Sequence, residues 1–169
     1  MSFANKFVNS SVFYVIIGVI LAFAVNQGMA FALSTDMPIV AVESNSMVPT
    51  FYKGDILILQ GVSAEDLGVG DVIVFSPPNQ EIPVVHRIID INPDGTFQTQ
   101  GDANSDQIWY EKSIKYSQVH GKEILIIPLL GWIKIMTLEY VFPNLIWIVI
   151  GVTMISLVYL GGRNLRGGV

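Results

Sequence analysis

The sequence predicts a mainly β domain exposed outside a membrane and flanked by one N-terminal and one C-terminal transmembrane helix. Three observations carry this. About half of the 169 residues (51%) are apolar and the mean hydropathy is +0.54, which suits one modest domain plus membrane segments. Residues 7–35 and 140–162 carry no charged side chain, and each stretch is long enough for a hydrocarbon core of about 30 Å. Between them, short apolar and β-branched runs at 39–42, 56–62, 72–75, 84–91, 96–99 and 123–127 are separated by Gly, Pro, Asp and Asn, the pattern of strands joined by turns.

The first apolar stretch is dense over residues 12–25 and reaches full spanning length only by including 29–33 beyond Asn26-Gln27-Gly28. Lys6 before it and Ala30-Phe31-Ala32 at its end also fit a cleavable signal peptide, and on either reading the middle block is exported. All fourteen acidic residues fall between Asp36 and Glu139, with six basic residues among them, while Lys6, Arg163 and Arg166 mark the two ends. Basic flanks mark cytoplasmic ends. The expected order is therefore a cytoplasmic N-terminus and anchor at 1–35, an exported domain at 36–139, a second span at 140–162 and a short basic cytoplasmic tail at 163–169. An acidic exported block excludes nucleic acid as a partner, and the absence of cysteine excludes disulfides and thiolate metal sites.

Within the middle block, Gly54-Asp55-Ile56-Leu57-Ile58 and Gly70-Asp71-Val72-Ile73-Val74 echo each other sixteen residues apart, each a turn feeding a buried-type strand. Residues 63–67 have the composition of a single helical turn. Residues 126–136, apolar apart from Lys134 and containing Leu129, Leu130 and Trp132, read either as core strand and connector or as a surface dipping into lipid headgroups.

Three polar residues stand out for chemistry. Ser46 lies in Ser44-Asn45-Ser46-Met47-Val48-Pro49-Thr50, where Pro49 stiffens the turn and biases Val48 toward an extended conformation. His86 lies in the apolar run Pro83-Val84-Val85-His86-Arg87. Asp102 follows glycine in Gln100-Gly101-Asp102-Ala103-Asn104-Ser105-Asp106, with Asp106 as a second acid. A serine hydroxyl becomes a useful nucleophile when a base takes its proton and a third group orients that base. Ser44, two positions before Ser46 on an extended chain, projects to the same side and would help hold an oxyanion beside the Ser46 amide. Asp90 is a rival orienting acid, but four residues along one strand is about 13 Å, too far for contact. His120, in a polar stretch before Gly121, reads as a solvated loop histidine.

Together, Ser-Met-Val-Pro-Thr, the two Gly-Asp-Ile/Val strands, Val-Val-His-Arg, Gly-Asp-Ala-Asn with a following Asp, and Gly121-Lys122 leading to Pro128-Leu129-Leu130-Gly131 resemble the successive boxes of type I signal peptidases. They run in family order over about ninety residues, and the first apolar segment matches the family's anchor. Bacterial-type members carry lysine where His86 stands. Archaeal and endoplasmic-reticulum-type members carry histidine, and no lysine lies between Lys53 and Lys112, so this chain resembles the latter. The resemblance implies a membrane-bound serine endopeptidase that removes signal peptides after small residues at the first and third positions before the cut. Ser46 would be nucleophile and His86 general base. Asp102, Asp106 or both would orient His86, the Ser46 amide and Ser44 hydroxyl would form the oxyanion hole, and Val40, Val42, Val84 and Val85 would wall the substrate pockets.

That resemblance implies no cofactor or metal. Its implied partners are preproteins with signal peptides, membrane lipid, and a translocon or accessory subunits. Its location would be the cell membrane, two-pass, with the catalytic domain outside. Two alternatives remain beside it: a processing peptidase of the same fold with a restricted client, and a non-catalytic membrane-tethered module of the secretion apparatus.

Overall fold

The computed structural model describes residues 11–166. An apolar helix, α1 (Ser11–Ala32), leads into six strands: β1 (Ile39–Ala41), β2 (Ile56–Gln60), β3 (Val72–Phe75), β4 (Val84–Ile91), β5 (Phe97–Gln100) and β6 (Val119–Ile127). They form one antiparallel sheet in the order β1-β2-β6-β3-β4-β5. After β6 come a short helix, α2 (Trp132–Ile135), a π-helical stretch (Met136–Val141) and α3 (Leu145–Arg166). The residue 63–67 turn is a 3-10 turn over Ala64–Asp66, where Ser63 Oγ donates to Asp66 Oδ2 at 2.7 Å.

Side chains alternate across a strand, and β3, buried at all four positions, supplies both faces. Val72 and Val74 join Val42, Met47, Phe51, Leu57 and Leu59 in one core. Ile73 and Phe75 join Leu67, Ile88, Phe97 and Ile114 in the other. Three bulges interrupt the ladder, between Ile58 and Leu59, between Val74 and Phe75, and between Ile88 and Asp90. A bulge leaves one residue unpaired and re-aims its side chain. At the second, Val74 opposes Gly121 and Phe75 opposes Val119, so His120 is the residue left over.

His120 is therefore not a solvated loop residue: β6 begins at Val119, four residues before the expected start. Its ring contacts Ser76 Oγ at 2.7 Å and Asp36 at 3.1 Å. Its backbone oxygen accepts from Thr35 Oγ1 at 2.6 Å, and Gly61 N–H donates to Leu33 O at 2.8 Å. The end of α1 is thus fastened to the sheet within three residues of the helix terminus.

The two echoed Gly-Asp segments make the same turn. Asp55 Oδ2 accepts from Tyr52 N–H at 2.9 Å and Asp71 Oδ2 from Gly68 N–H at 3.0 Å, and Gly54 and Gly70 have φ of 97° and 101°, open to glycine but strained for other residues. Asp55, 5% exposed, also accepts from Leu129 N–H at 2.9 Å, holding Leu129 at φ 63°. That contact brings α2 over the turn, with Ile135 2% exposed and Lys134 and Glu43 paired at 3.1 Å.

Within α1, the helix Val12–Ala32, mean hydropathy 2.0 and none of it buried, is long and apolar enough to cross a membrane. The second apolar segment does not run straight through residue 140. Trp132–Val141 and Leu145–Ser156 meet at 79°, and the break contains Pro143, which lacks the N–H that a continuing helix needs. Leu129, Leu130, Ile133 and Met136, which precede the elbow in the chain, are exposed.

A β-carbon at Gly54 would overlap the Trp132 indole ring, whereas one at Gly70 meets open space. Alanine at either position takes on a backbone cost of about 1–3 kcal/mol. Gly54→Ala is expected to lower the thermal midpoint, followed by circular dichroism in detergent, clearly more than Gly70→Ala. Equal losses would show that Trp132 moves aside at no cost.

Candidate active site

Ser46 sits in a loop closed at its base by Val42 N–H to Asp55 O and Gly54 N–H to Val42 O, both 2.9 Å. Met47 and Phe51, each 1% exposed, drop into the first core. Lys53 N–H donates to Asn45 Oδ1 at 2.8 Å. Ser46 is thereby fixed by its neighbour's burial while remaining partly exposed itself. Ser44 Oγ lies 3.2 Å from Ser46 Oγ, on the side that an i, i+2 spacing requires.

His86 comes from the middle of β4, paired with Ile73 of β3 and 4% exposed. Its Nε2 lies 3.0 Å from Ser46 Oγ. Its Nδ1 faces the carboxylate of Glu111, which is fully buried in the 3-10 turn Trp109–Lys112. Glu111 Oε2 accepts from Ile108 N–H at 2.7 Å, and Oε1 is 3.4 Å from Thr99 Oγ1. A carboxylate accepting from Nδ1 keeps the ring proton there and leaves the Nε2 lone pair toward the serine.

Asp102 and Asp106 are placed elsewhere. Asp102 Oδ1 and Oδ2 accept from Arg87 Nε at 2.9 Å and Nη2 at 2.7 Å, and Thr50 Oγ1 donates to Oδ2 at 2.5 Å. Asp106 is exposed and accepts from Ser105 Oγ at 3.3 Å. Strand alternation explains the separation. Arg87 pairs with Gln100 on one face, so the residues just past β5 meet Arg87. His86, one residue earlier, points to the other face, where Thr99 and Glu111 lie.

The Gly-Asp segment still serves the site, by holding the Ser46 loop. Ala103 N–H donates to Ser46 O at 2.8 Å, and Asp102 joins Arg87 to Thr50. Gly101 is closed to any side chain: a β-carbon there would lie 2.6 Å from Ser46 O and 2.8 Å from His86 Nε2. Of the four valines, Val42 is 2% exposed and sealed in the first core. Val40 and Val85 pack partly buried against that core, and Val84 against the other. A cavity of about 420 Å³ lies not beside Ser46 but where α1 meets the sheet, lined among others by Thr35, Asp36, Tyr116 and His120.

The sequence that builds this arrangement is similar to known proteins. Residues 10–101 match the family described as signal peptidase, peptidase S26. This chain belongs to that family. It is 33% identical over 128 residues to the signal peptidase complex catalytic subunit SEC11 of Pyricularia oryzae, covering 70% of this chain and 74% of the relative. It is 31% identical over 127 residues to the catalytic subunit SEC11C of Homo sapiens, covering 68% and 64%. Against SEC11 of Schizophyllum commune it is 42% identical over 74 residues, covering 42% and 38%. The chain thus spans about two thirds to three quarters of the length of the first two relatives.

Among the site residues of this signal peptidase family member, Glu111 was not legible from its motifs. It lies 25 residues beyond His86, outside the Gly-Asp box. Its one signal is an acid directly after the apolar Ile108-Trp109-Tyr110.

The Arg87 guanidinium, hydrogen-bonded to Asp102, holds the Asp102 carboxyl below its ordinary value. Partial burial opposes this, while the Thr50 hydroxyl and the charges of Arg87 and His86 add to it. The same contact raises Arg87. A carboxyl depressed in the folded state contributes stability above its unfolded value of about 3.9, and that contribution is lost as pH falls through the lower folded value. Asp102→Asn is therefore expected to lower the thermal midpoint near neutral pH, with the difference from wild type narrowing below about pH 4. A difference independent of pH would remove the ionic contribution.

Proposed function

We propose that this chain is a membrane-bound serine endopeptidase that removes signal peptides from exported preproteins, with Ser46 as nucleophile and His86 as general base. The observation that carries the reading is the 3.0 Å contact between Ser46 Oγ and His86 Nε2, in a chain of the signal peptidase family. Ser46 Oγ attacks the scissile carbonyl as its proton passes to Nε2. His86 then returns that proton to the leaving amine as the C–N bond breaks, and water hydrolyses the acyl-enzyme by the same route. The Ser44 hydroxyl, beside Ser46 Oγ, and the Ser46 amide are the proposed oxyanion donors. Small residues before the cut would be bound near Val40, Val84 and Val85. Val42, sealed in the core, would act only as their support.

For its setting, α1 is the proposed anchor, within 1–35, and residues 36–139 the exported domain. Residues 140–162 would form a second span entered through the elbow at Pro143, with 163–169 and the N-terminus cytoplasmic. The exposed Leu129, Leu130, Ile133 and Met136 would then meet the membrane surface, where a substrate's cleavage site emerges. The names of the SEC11 relatives place those proteins in a signal peptidase complex. By analogy, accessory subunits or a translocon are proposed partners here.

In detergent, the full chain is expected to cleave a preprotein carrying alanine at the first and third positions before the cut. Ser46→Ala and His86→Gln should each remove turnover while keeping the wild-type circular dichroism, and Ser44→Ala should cost roughly 10²-fold in kcat, the order expected for one oxyanion donor. Cleavage by Ser46→Ala at the wild-type rate would overturn the nucleophile. Cleavage of one exported client but no generic preprotein would favour restricted processing.

A further inference from the structure

We infer that Glu111 is the positioning residue that sets the tautomer and orientation of His86, and that neither aspartate of the Gly-Asp segment has that role. The inference rests on the proposed Ser46–His86 reading and deepens it. It begins from burial. Glu111 is fully buried, and a buried carboxylate persists where charge or hydrogen bonds compensate its lost water. Its compensation is specific: Oε2 takes the Ile108 N–H at 2.7 Å, which fixes the carboxylate plane, and Oε1 is turned onto His86 Nδ1 with Thr99 Oγ1 beside it. The turn Trp109–Lys112 is held in place in turn by the pairing of Phe97 with Ile114 and by Gln107 Nε2 on Thr99 O at 2.9 Å.

Function depends on proton placement. With Glu111 accepting from Nδ1, the neutral ring carries its proton on Nδ1 and offers Nε2 to Ser46. When Nε2 takes the serine proton, the resulting imidazolium faces a negative charge already in position. No atom leaves Glu111; the proton it holds through Nδ1 stays on the ring throughout. Asp102 is unsuited to this task because Arg87 and Thr50 occupy both its oxygens, and Asp106 is exposed at Ser105.

Glu111→Gln tests this in the full-length protein in detergent. A glutamine of the same size can present its amide N–H to Nδ1, which moves the ring proton to Nε2 and removes the acceptor that Ser46 needs. The expected result is a loss on the order of 10³–10⁴-fold in kcat, as for a triad held in the wrong tautomer, with KM nearly unchanged. Glu111→Asp should recover part of the loss. Asp106→Asn should stay close to wild type, and Asp102→Asn should fall between, since it loosens the loop. A second readout needs no variant of Glu111 to fold: in wild-type protein labelled with ¹⁵N-histidine, a downfield Nδ1–H resonance that disappears in His86→Gln is expected. Glu111→Gln within about tenfold of wild type, far short of the tautomer effect, overturns the inference. So does absence of that resonance, or a loss carried by Asp106→Asn instead. If Ser46→Ala still cleaves, the nucleophile assignment falls and this inference with it; if Ser46→Ala is inactive while Glu111→Gln is not, this inference alone falls.

Discussion

Burial of β3 on both faces is the constraint around which the rest of the domain is arranged. A four-residue strand with no exposed position must be covered on each side, and its alternating side chains seed two cores from one segment of backbone. The first core captures Met47 and Phe51 and so fixes the loop that carries Ser46. The second lies on the face that β4 presents through Ile88, and His86 enters from there as the partner of Ile73. Serine and histidine meet because two cores share a wall.

The same alternation divides the labour of the polar groups. On the His86 face, polar side chains are buried and mutually satisfied: Thr99 is 0% exposed, as is Glu111, and among the described residues no buried side-chain nitrogen or oxygen lacks a partner. On the Arg87 face, Asp102, Arg87 and Thr50 form an ionic clasp near solvent. Such a clasp adds little to global stability, but its geometry closes the loop over the sheet at the point where Ala103 meets the Ser46 carbonyl. The acid of the Gly-Asp segment thus supports the loop that carries Ser46, and the acid that contacts His86 comes from a turn without a motif.

Much of this was readable in advance. Periodicity of two and the Gly, Pro and Asn breaks located all six strands, and the repeated Gly-Asp signalled two equivalent turns because only glycine tolerates φ near 100° there. Ser46 and His86 were legible because their neighbours are unusual: a proline-stiffened turn, and a titratable ring within an apolar strand. What escaped depended on contacts distant in sequence. His120 looks like a loop residue because the bulge that aims it arises only when β6 pairs with β3. Glu111 looks like any surface acid until the turn after Ile108 folds beneath Thr99. The elbow at Pro143 was hidden by composition, since hydropathy counts apolar residues and takes no account of a missing N–H.

Gly101 carries a consequence at the level of the gene. The space beside it is shared by the Ser46 carbonyl, the Asn104 amide and His86 Nε2, so it accepts a hydrogen and nothing larger. From any glycine codon, every single-base missense change leads to a residue with a β-carbon. The chain therefore has no one-step neighbour that alters this position and keeps the serine and imidazole where they are; drift can pass through the exposed loops around it, while this codon admits only silent change.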